Sequence, residues 1–212
     1  MIAVLRVTSI SDPSRTMTSD SPASLRKRLR QARCALSPRQ QDIAAHRLYH
    51  RVSSQRFFRC ARRIAFYLAT DGEIDPALLL ADALSRGVQC YLPCMHPHRP
   101  RSLLFLRYRE GDTLVPHRWG MQEPSLRRAK PLPARFLDLV FVPLVGFDAS
   151  GNRLGMGKGI YDRTFWFRTR AGRNLPRLVG LAHECQRVER VENQAWDVAM
   201  DRIESDHDSY RL

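Results

Sequence analysis

The sequence DLVFVP at residues 138–143 is followed by the glycine-rich sequence RLGMGKGIYDR at residues 153–163, and this succession decides the fold. A short, continuous apolar run is typical of a strand that is buried on both faces of a parallel sheet. The residues after the glycines predict a helix from Tyr161 to Arg170. A loop between a parallel strand and a helix lies at the carboxyl end of the strand, where open α/β sheets bind their ligands.

The rest of the chain repeats this alternation of strands and helices. A strand, a helix that begins at Asp75-Pro76 and ends at Gly87, and a further strand make a βαβ unit, which requires parallel pairing. We therefore predict a single-domain α/β fold at residues 25–212, with a mostly parallel central sheet flanked by helices. The other predicted helices are Leu25–Leu36 and Ser37–Val52, and the other predicted strands are Arg62–Leu68, Val88–Pro93, Leu103–Tyr108, Arg177–Ala182 and an edge strand within Trp196–Ile203.

Composition narrows the class of protein. The five cysteines are widely spaced and form no CxxC pair, which argues against a disulfide framework and a zinc knuckle and favours a reducing compartment. No apolar run has the roughly 18 residues that a membrane-spanning helix needs. The Ser- and Thr-rich residues 1–24 predict a mobile tail without a signal-peptide core. We expect a cytoplasmic, monomeric protein.

The net charge of +14 is concentrated in one region. Between Arg26 and Arg63 the chain has twelve Lys or Arg residues and a single acid, Asp42. Such a surface attracts phosphate-bearing partners, although a basic helix face exposed to water is an equally simple explanation. Binding of nucleic acid is the alternative hypothesis. Against it, aromatic residues do not alternate with the basic ones, and no recognition motif is present.

The glycine segment has the composition of an anion site. Alternating glycines allow a ligand to approach the main chain, and successive N–H groups can converge on a phosphate. The segment has neither the Walker A nor the Rossmann spacing, since no Ser or Thr follows Lys158 and the third glycine comes one residue too early. Asp162 lies among cations, where it could form an ion pair with Arg163 or Lys158 or bind Mg²⁺. The residues alone leave these two roles open.

Four blocks in this order resemble the 5-formyltetrahydrofolate cyclo-ligase family, also called 5,10-methenyltetrahydrofolate synthetases. The resemblance runs from about Leu25 to Ile203. It implies ATP- and Mg²⁺-dependent cyclisation of 5-formyltetrahydrofolate to 5,10-methenyltetrahydrofolate. The fold of this family resembles that of sugar-phosphate isomerases and coenzyme-A transferases, so another phosphate-binding enzyme of that fold is a further alternative. The blocks are RKRLR at 26–30, DGEID at 71–75, VPLVGFD at 142–148 with GNRLGMGKGIYDR at 151–163, and GLAHECQ at 180–186 with ENQAWD at 192–197.

The resemblance also implies roles for individual residues. Lys27 and Asp162 match catalytic positions, Asp162 and Asp197 match metal ligands, and Glu73 matches an acid that contacts the folate. Ile160 departs from the family pattern, which has a tyrosine at this position, and we expect the change to alter folate affinity. The matched ATP-binding residues are Arg26, Lys27, Arg30, Arg153, Leu154, Gly155, Met156, Gly157, Lys158, Gly159, Ile160 and Tyr161, of which Met156, Gly157, Lys158, Gly159 and Ile160 also border the folate.

Overall fold

The computed structural model describes residues 21–99, 101–116, 121–127, 130–171 and 176–211. Most of the predicted tail therefore lies outside the described residues. The helices are α1 (Pro22–Cys34), α2 (Pro38–Ser53), α3 (Arg56–Arg59), α4 (Ala77–Ser85), α5 (Ile160–Phe165) and α6 (Phe167–Ala171), with 3₁₀ turns at Ala134–Phe136 and Glu184–Gln186. The strands are β1 (Arg63–Ala65), β2 (Gln89–Met95), β3 (Leu103–Tyr108), β4 (Leu114–Pro116), β5 (Gln122–Pro124), β6 (Leu139–Pro143), β7 (Gly146–Phe147), β8 (Arg153–Leu154), β9 (Arg177–Ala182), β10 (Arg202–Ser205) and β11 (Ser209–Arg211).

Seven strands form the central sheet in the order β11-β10-β9-β6-β1-β2-β3. The five inner strands pair in parallel, and only the edge strands β3 and β11 are antiparallel. This confirms the predicted α/β fold with a mostly parallel sheet. Two short hairpins, β4–β5 and β7–β8, lie outside the sheet.

Strand β6 illustrates how both faces of the sheet are buried. Phe141 packs on one face with residues of α2, α3 and α4, whereas Val142 packs on the other face with Phe165 of α5. Successive side chains of a strand point to opposite faces, so an uninterrupted apolar run is what a sheet covered on both sides requires. Strand β6 lies in the middle of the sheet, and this explains why residues 138–143 give the clearest strand pattern in the sequence.

Several boundaries differ from the prediction. Helix α1 begins at Pro22, with Ser21 as its N-cap, so residues 22–24 belong to the helix and not to the tail. The helix predicted over Tyr161–Arg170 is divided at Trp166 into α5 and α6. The predicted edge strand within Trp196–Ile203 is wrong in position, because β10 begins at Arg202 and lies inside the sheet, while β11 forms the edge.

Helix α1 packs closely against the loop that follows β6. A Cβ atom at Gly146 would lie 2.4 Å from Leu29 Cδ1, so a larger residue here would have to displace the Leu29 side chain. The Arg33 guanidinium is buried and donates to the Leu144 carbonyl oxygen at 3.0 Å and to the Asp71 carboxylate at 2.9 Å. These contacts fix the orientation of the helix that carries Arg26. Within the described residues, no helix combines the length and hydropathy needed to cross a membrane.

Candidate active site

A cleft of about 1540 Å³ opens at the carboxyl ends of β1, β2 and β6. Its floor contains buried residues such as Tyr67 and Leu92, and its rim contains exposed ones such as Met156 and Trp196. Residues of helix α1, of the β2–β3 connection, of β5, of α5 and of the segment 188–197 line it. The whole segment from Arg153 to Arg163 also lines the cleft.

The glycine segment uses its glycines in two different ways. Gly157 and Gly159 have φ of 81° and 61°, a region that favours glycine, whereas Gly155 does not have a positive φ. The N–H groups of Met156, Gly157 and Gly159 have no hydrogen-bond partner among the described residues and are available to a ligand. Helix α5 has only six residues, so its dipole adds little to the anion site that the sequence predicted there.

Three basic residues of α1 were predicted to bind phosphate, and the structure separates them. Arg26 lines the cleft and donates from Nε to the Gly155 carbonyl oxygen at 2.9 Å. Arg30 instead donates to the Asp71 carboxylate at 2.7 Å and is not among the described residues that line the cleft, and its binding of phosphate stays a prediction. Lys27 is exposed and is not among the described residues that line the cleft. Its catalytic role stays a prediction.

The pairing of Arg30 with Asp71 also affects protonation. The hydrogen bond from Arg30, reinforced by Arg33, lowers the pKa of Asp71 from 3.8 to about 2. Asp71 has a φ of 52° and immediately precedes Gly72. The ionised Asp71 carboxylate therefore ties the turn after β1 to helix α1, and this turn carries Glu73 into the cleft.

Asp162 and Asp197 both line the cleft, on neighbouring segments. Asp162 Oδ1 accepts hydrogen bonds from the Arg153 guanidinium and from the Val198 N–H group, and Asp197 Oδ2 accepts one from the Gln194 N–H group. Asp162 thus forms an ion pair with Arg153, a partner that the sequence had not indicated. Two carboxylates suit Mg²⁺, which takes one or two protein carboxylates together with phosphate oxygens. Among the described residues, no three His, Cys, Asp or Glu side chains form a metal cluster.

Glu73 is the acid on the cleft floor, and its environment is unusual. Burial raises the pKa of its carboxyl, an effect partly offset by the Arg33 guanidinium at 3.6 Å and by a hydrogen bond from the Thr70 N–H group. Burial, with a contribution from Glu73, also raises the pKa values of Tyr67 and Tyr161. Glu73 therefore lies in an apolar, aromatic surrounding where a carboxylate gains strongly from N–H donors on a ligand.

Sequence reasoning missed several residues in and around the cleft. Arg33, which contacts Glu73 but does not itself line the cleft, is one of them, because its burial depends on contacts with residues far away in the chain. Its helical spacing from Arg26 and Arg30 was the only available signal. The described residues on the cleft surface that were not predicted include Arg28, Arg101, Glu123, Trp166 and Trp196.

Fold and cleft together define an α/β protein with a ligand site at the carboxyl ends of its parallel strands. Comparison with known proteins gives the family. The model of the 5-formyltetrahydrofolate cyclo-ligase family matches residues 18–205. The chain belongs to this family.

Individual relatives agree with this assignment. The chain is 37% identical to the 5-formyltetrahydrofolate cyclo-ligase of Haemophilus influenzae over 186 residues, which cover 87% of this chain and 97% of that protein. It is also 37% identical to the enzyme of Escherichia coli over 179 residues, 82% of this chain and 94% of that protein. Among solved structures, 5,10-methenyltetrahydrofolate synthetase from Aquifex aeolicus superposes with a TM-score of 0.76 at 27% identity, covering 90% of this chain and 92% of that one.

Proposed function

We propose that this protein uses ATP and Mg²⁺ to cyclise 5-formyltetrahydrofolate to 5,10-methenyltetrahydrofolate, with release of ADP and phosphate. The observation that carries the proposal is the convergence on one cleft of three elements: the Arg26-bound glycine segment, the Asp162–Asp197 pair and the largely buried Glu73. Family membership supports the identity of the reaction. The phosphates of ATP would meet the glycine segment, and the nitrogen-rich pterin ring of the folate would meet Glu73 in the same cleft.

The chemistry requires the formyl oxygen to become a leaving group. That oxygen attacks the γ-phosphorus of ATP, and the bond from phosphorus to ADP breaks. The N10 nitrogen then attacks the activated carbon and loses its proton, the C–O bond breaks, and phosphate departs as the ring closes. Because the protein forms no covalent bond in these steps, its contribution is to hold both substrates in contact and to balance phosphate charge.

The nucleotide phosphates fit the glycine segment. The open N–H groups of Met156, Gly157 and Gly159 provide donors for phosphate oxygens. Arg26 adds a full positive charge beside them, and its guanidinium would lie 3.5 Å from a Cβ atom at Gly157. Lys158 also lines this part of the cleft. Lys27 remains part of the proposal as a side chain that could turn toward a bound phosphate.

Asp162 and Asp197 are the residues that would hold Mg²⁺. Each has one carboxylate oxygen without a hydrogen bond among the described residues, Oδ2 in Asp162 and Oδ1 in Asp197. When bound with ATP, the cation neutralises charge on the phosphate oxygens. The Arg153 guanidinium donates both to the Asp162 carboxylate and to the Val198 carbonyl oxygen. It therefore holds the Asp162 carboxylate beside the segment that carries Asp197.

Glu73 and the floor of the cleft suit the folate. A buried carboxylate can accept two N–H groups from the polar edge of a pterin ring, and the aromatic rings of Tyr67 and Tyr161 provide apolar surface beside it. Ile160 lines the same cleft, so the departure from the family tyrosine changes a surface that the substrate would meet. We further propose that the protein acts as a monomer in the cytoplasm, in keeping with its five free cysteines.

An assay with omitted components tests the proposal. Purified protein, Mg-ATP and 5-formyltetrahydrofolate should give the absorbance of the methenyl product, and omission of ATP, Mg²⁺ or the folate should each abolish it. Folded protein that yields no ATP-dependent product with all three components present would overturn the proposal.

A further inference from the structure

The cleft wall formed by the β2–β3 connection and α5 carries two arginines that the proposed chemistry does not use. Arg101, in the β2–β3 connection, and Arg163, in α5, are both exposed and both line the cleft. The two segments are joined by a hydrogen bond of 2.9 Å from the Leu103 N–H group to Thr164 Oγ1. Because each arginine is within two residues of this bond, the fold holds both at the same part of the rim.

Arg101 has two properties of a binding residue. Its φ is 61°, in the left-handed region that costs a side chain other than glycine on the order of 1 kcal/mol and is enriched at functional sites. Its guanidinium makes no hydrogen bond or ion pair within the described part of the chain. Arg163 donates one N–H group to the Lys158 carbonyl oxygen at 3.1 Å and keeps the others for a ligand. Paired arginines are well suited to carboxylates, which they bind through parallel N–H donors.

The same wall also provides an aromatic surface. Trp166 follows α5 directly, lines the cleft and is 41% exposed. An indole ring that remains this accessible offers a flat face against which a second ring can stack. Glu123 also lines the cleft, and its Oε2 atom accepts a hydrogen bond from the Met95 N–H group at 3.1 Å. This part of the cleft therefore combines the Trp166 ring with the cations of Arg101 and Arg163, and the Glu123 carboxylate is already hydrogen-bonded to the main chain.

This pattern matches one end of the folate molecule. The proposed function, on which this inference rests, assigns the pterin ring to Glu73 on the floor, so the other end of the molecule must extend toward the rim. That end consists of an aminobenzoyl ring followed by a glutamate with two carboxylates. We propose that Arg101 and Arg163 bind the carboxylates of the glutamyl tail and that Trp166 contacts the aminobenzoyl ring. Arg26 and the glycine segment serve the nucleotide.

The test compares two substrates in one variant. Asn tolerates the left-handed backbone, so Arg101→Asn removes the charge and keeps the turn. With 5-formyltetrahydrofolate we expect the KM for the folate to rise about tenfold, as for loss of a charge-assisted hydrogen bond, with kcat and the KM for ATP little changed. With the analogue that lacks glutamate, 5-formyltetrahydropteroate, wild type and variant should have the same KM. Arg101→Lys should restore part of the lost affinity.

Arg99→Asn is the matched control, because Arg99 is exposed in the same connection but is not among the described residues that line the cleft. It should leave both KM values unchanged, and thermal unfolding should be alike in all variants. An equal KM increase for both substrates, or a rise in the KM for ATP instead, would overturn the tail site. Failure of the tail site is distinguishable from failure of the proposed function, since the latter would leave even wild type without ATP-dependent product.

Discussion

Arg26 Nε donates a hydrogen bond of 2.9 Å to the carbonyl oxygen of Gly155, joining two segments that are 129 residues apart in the sequence. The contact brings the basic N-terminal helix over the glycine segment. It explains how a charge concentrated near the start of the chain reaches a loop near its end. Because Arg26 orients this loop and adds a charge beside it, its removal should affect the nucleotide more than the folate.

Arg26→Ala should raise the KM for ATP on the order of tenfold or more, because it removes a charge-assisted hydrogen bond and a cation beside the phosphates. The measurement is the initial rate as a function of ATP at saturating folate. Arg26→Lys should retain part of the affinity. Arg39→Ala, at an exposed position of α2, is the control and should have no effect. An unchanged KM for ATP in Arg26→Ala would contradict the assignment.

Asp162→Asn should shift the Mg²⁺ dependence of the rate to higher concentration and lower kcat. Asn can still accept a hydrogen bond from the Val198 N–H group, so the fold should be retained, but it removes the charge that attracts the cation and pairs with Arg153. The measurement is a Mg²⁺ titration of the rate at saturating ATP. If the midpoint of that titration is the same as in wild type, Asp162 is not a metal ligand and serves only Arg153.

Glu73→Gln should raise the KM for the folate about tenfold, because a neutral amide cannot replace a buried carboxylate that accepts N–H groups. Burial raises the pKa of Glu73, so the range of pH over which its carboxyl ionises lies higher than for a free glutamate. Wild-type KM for the folate should therefore fall as pH increases through that range, and the variant should lose this dependence. Glu110→Gln, at an exposed turn, is the control. Parallel pH profiles in wild type and Glu73→Gln would argue against the contact.

Asp71→Asn should destabilise the fold modestly. The variant loses the ion pairs with Arg30 and Arg33, and since Asp71 is partly exposed we expect about 1 kcal/mol, or roughly 2–4 °C in Tm. The folded-state pKa is lowered to about 2, so the stabilisation is fully present above the unfolded value near 3.8 and is lost as pH falls toward 2. Urea unfolding at decreasing pH should show the two proteins converge. A stability difference that stays constant down to acid pH would exclude ionised Asp71 as its source.

The sequence was most informative where local pattern and burial coincide. Strand β6 could be predicted because its residues are apolar on both faces. The glycine segment could be predicted because the positive φ angles of Gly157 and Gly159 are a local property of the backbone. The C-terminal strands were misplaced because β10 is short and contains the charged residues Arg202 and Glu204. Those side chains are buried as an ion pair, and burial of this kind does not follow from a hydropathy pattern.

The candidate site was only partly predictable for a related reason. The motif residues from Arg153 to Asp162 are contiguous, so the pattern identifies them together. Arg30 and Arg33 both bond to Asp71, but Arg33 is buried and also donates to the Leu144 carbonyl oxygen, which belongs to a distant part of the chain. Arg101 was missed since its position on the cleft depends on the contact between Leu103 and Thr164. Spacing along one helix or loop does not contain this information.

The stoichiometry of a single reaction tests the central claim most directly. Purified protein is given limiting 5-formyltetrahydrofolate with excess Mg-ATP, and methenyl product, ADP and phosphate are measured together. The account predicts that the three are formed in equal amounts and that the methenyl product is absent without ATP. Release of ADP and phosphate without methenyl product, or methenyl product without ATP consumption, would contradict it.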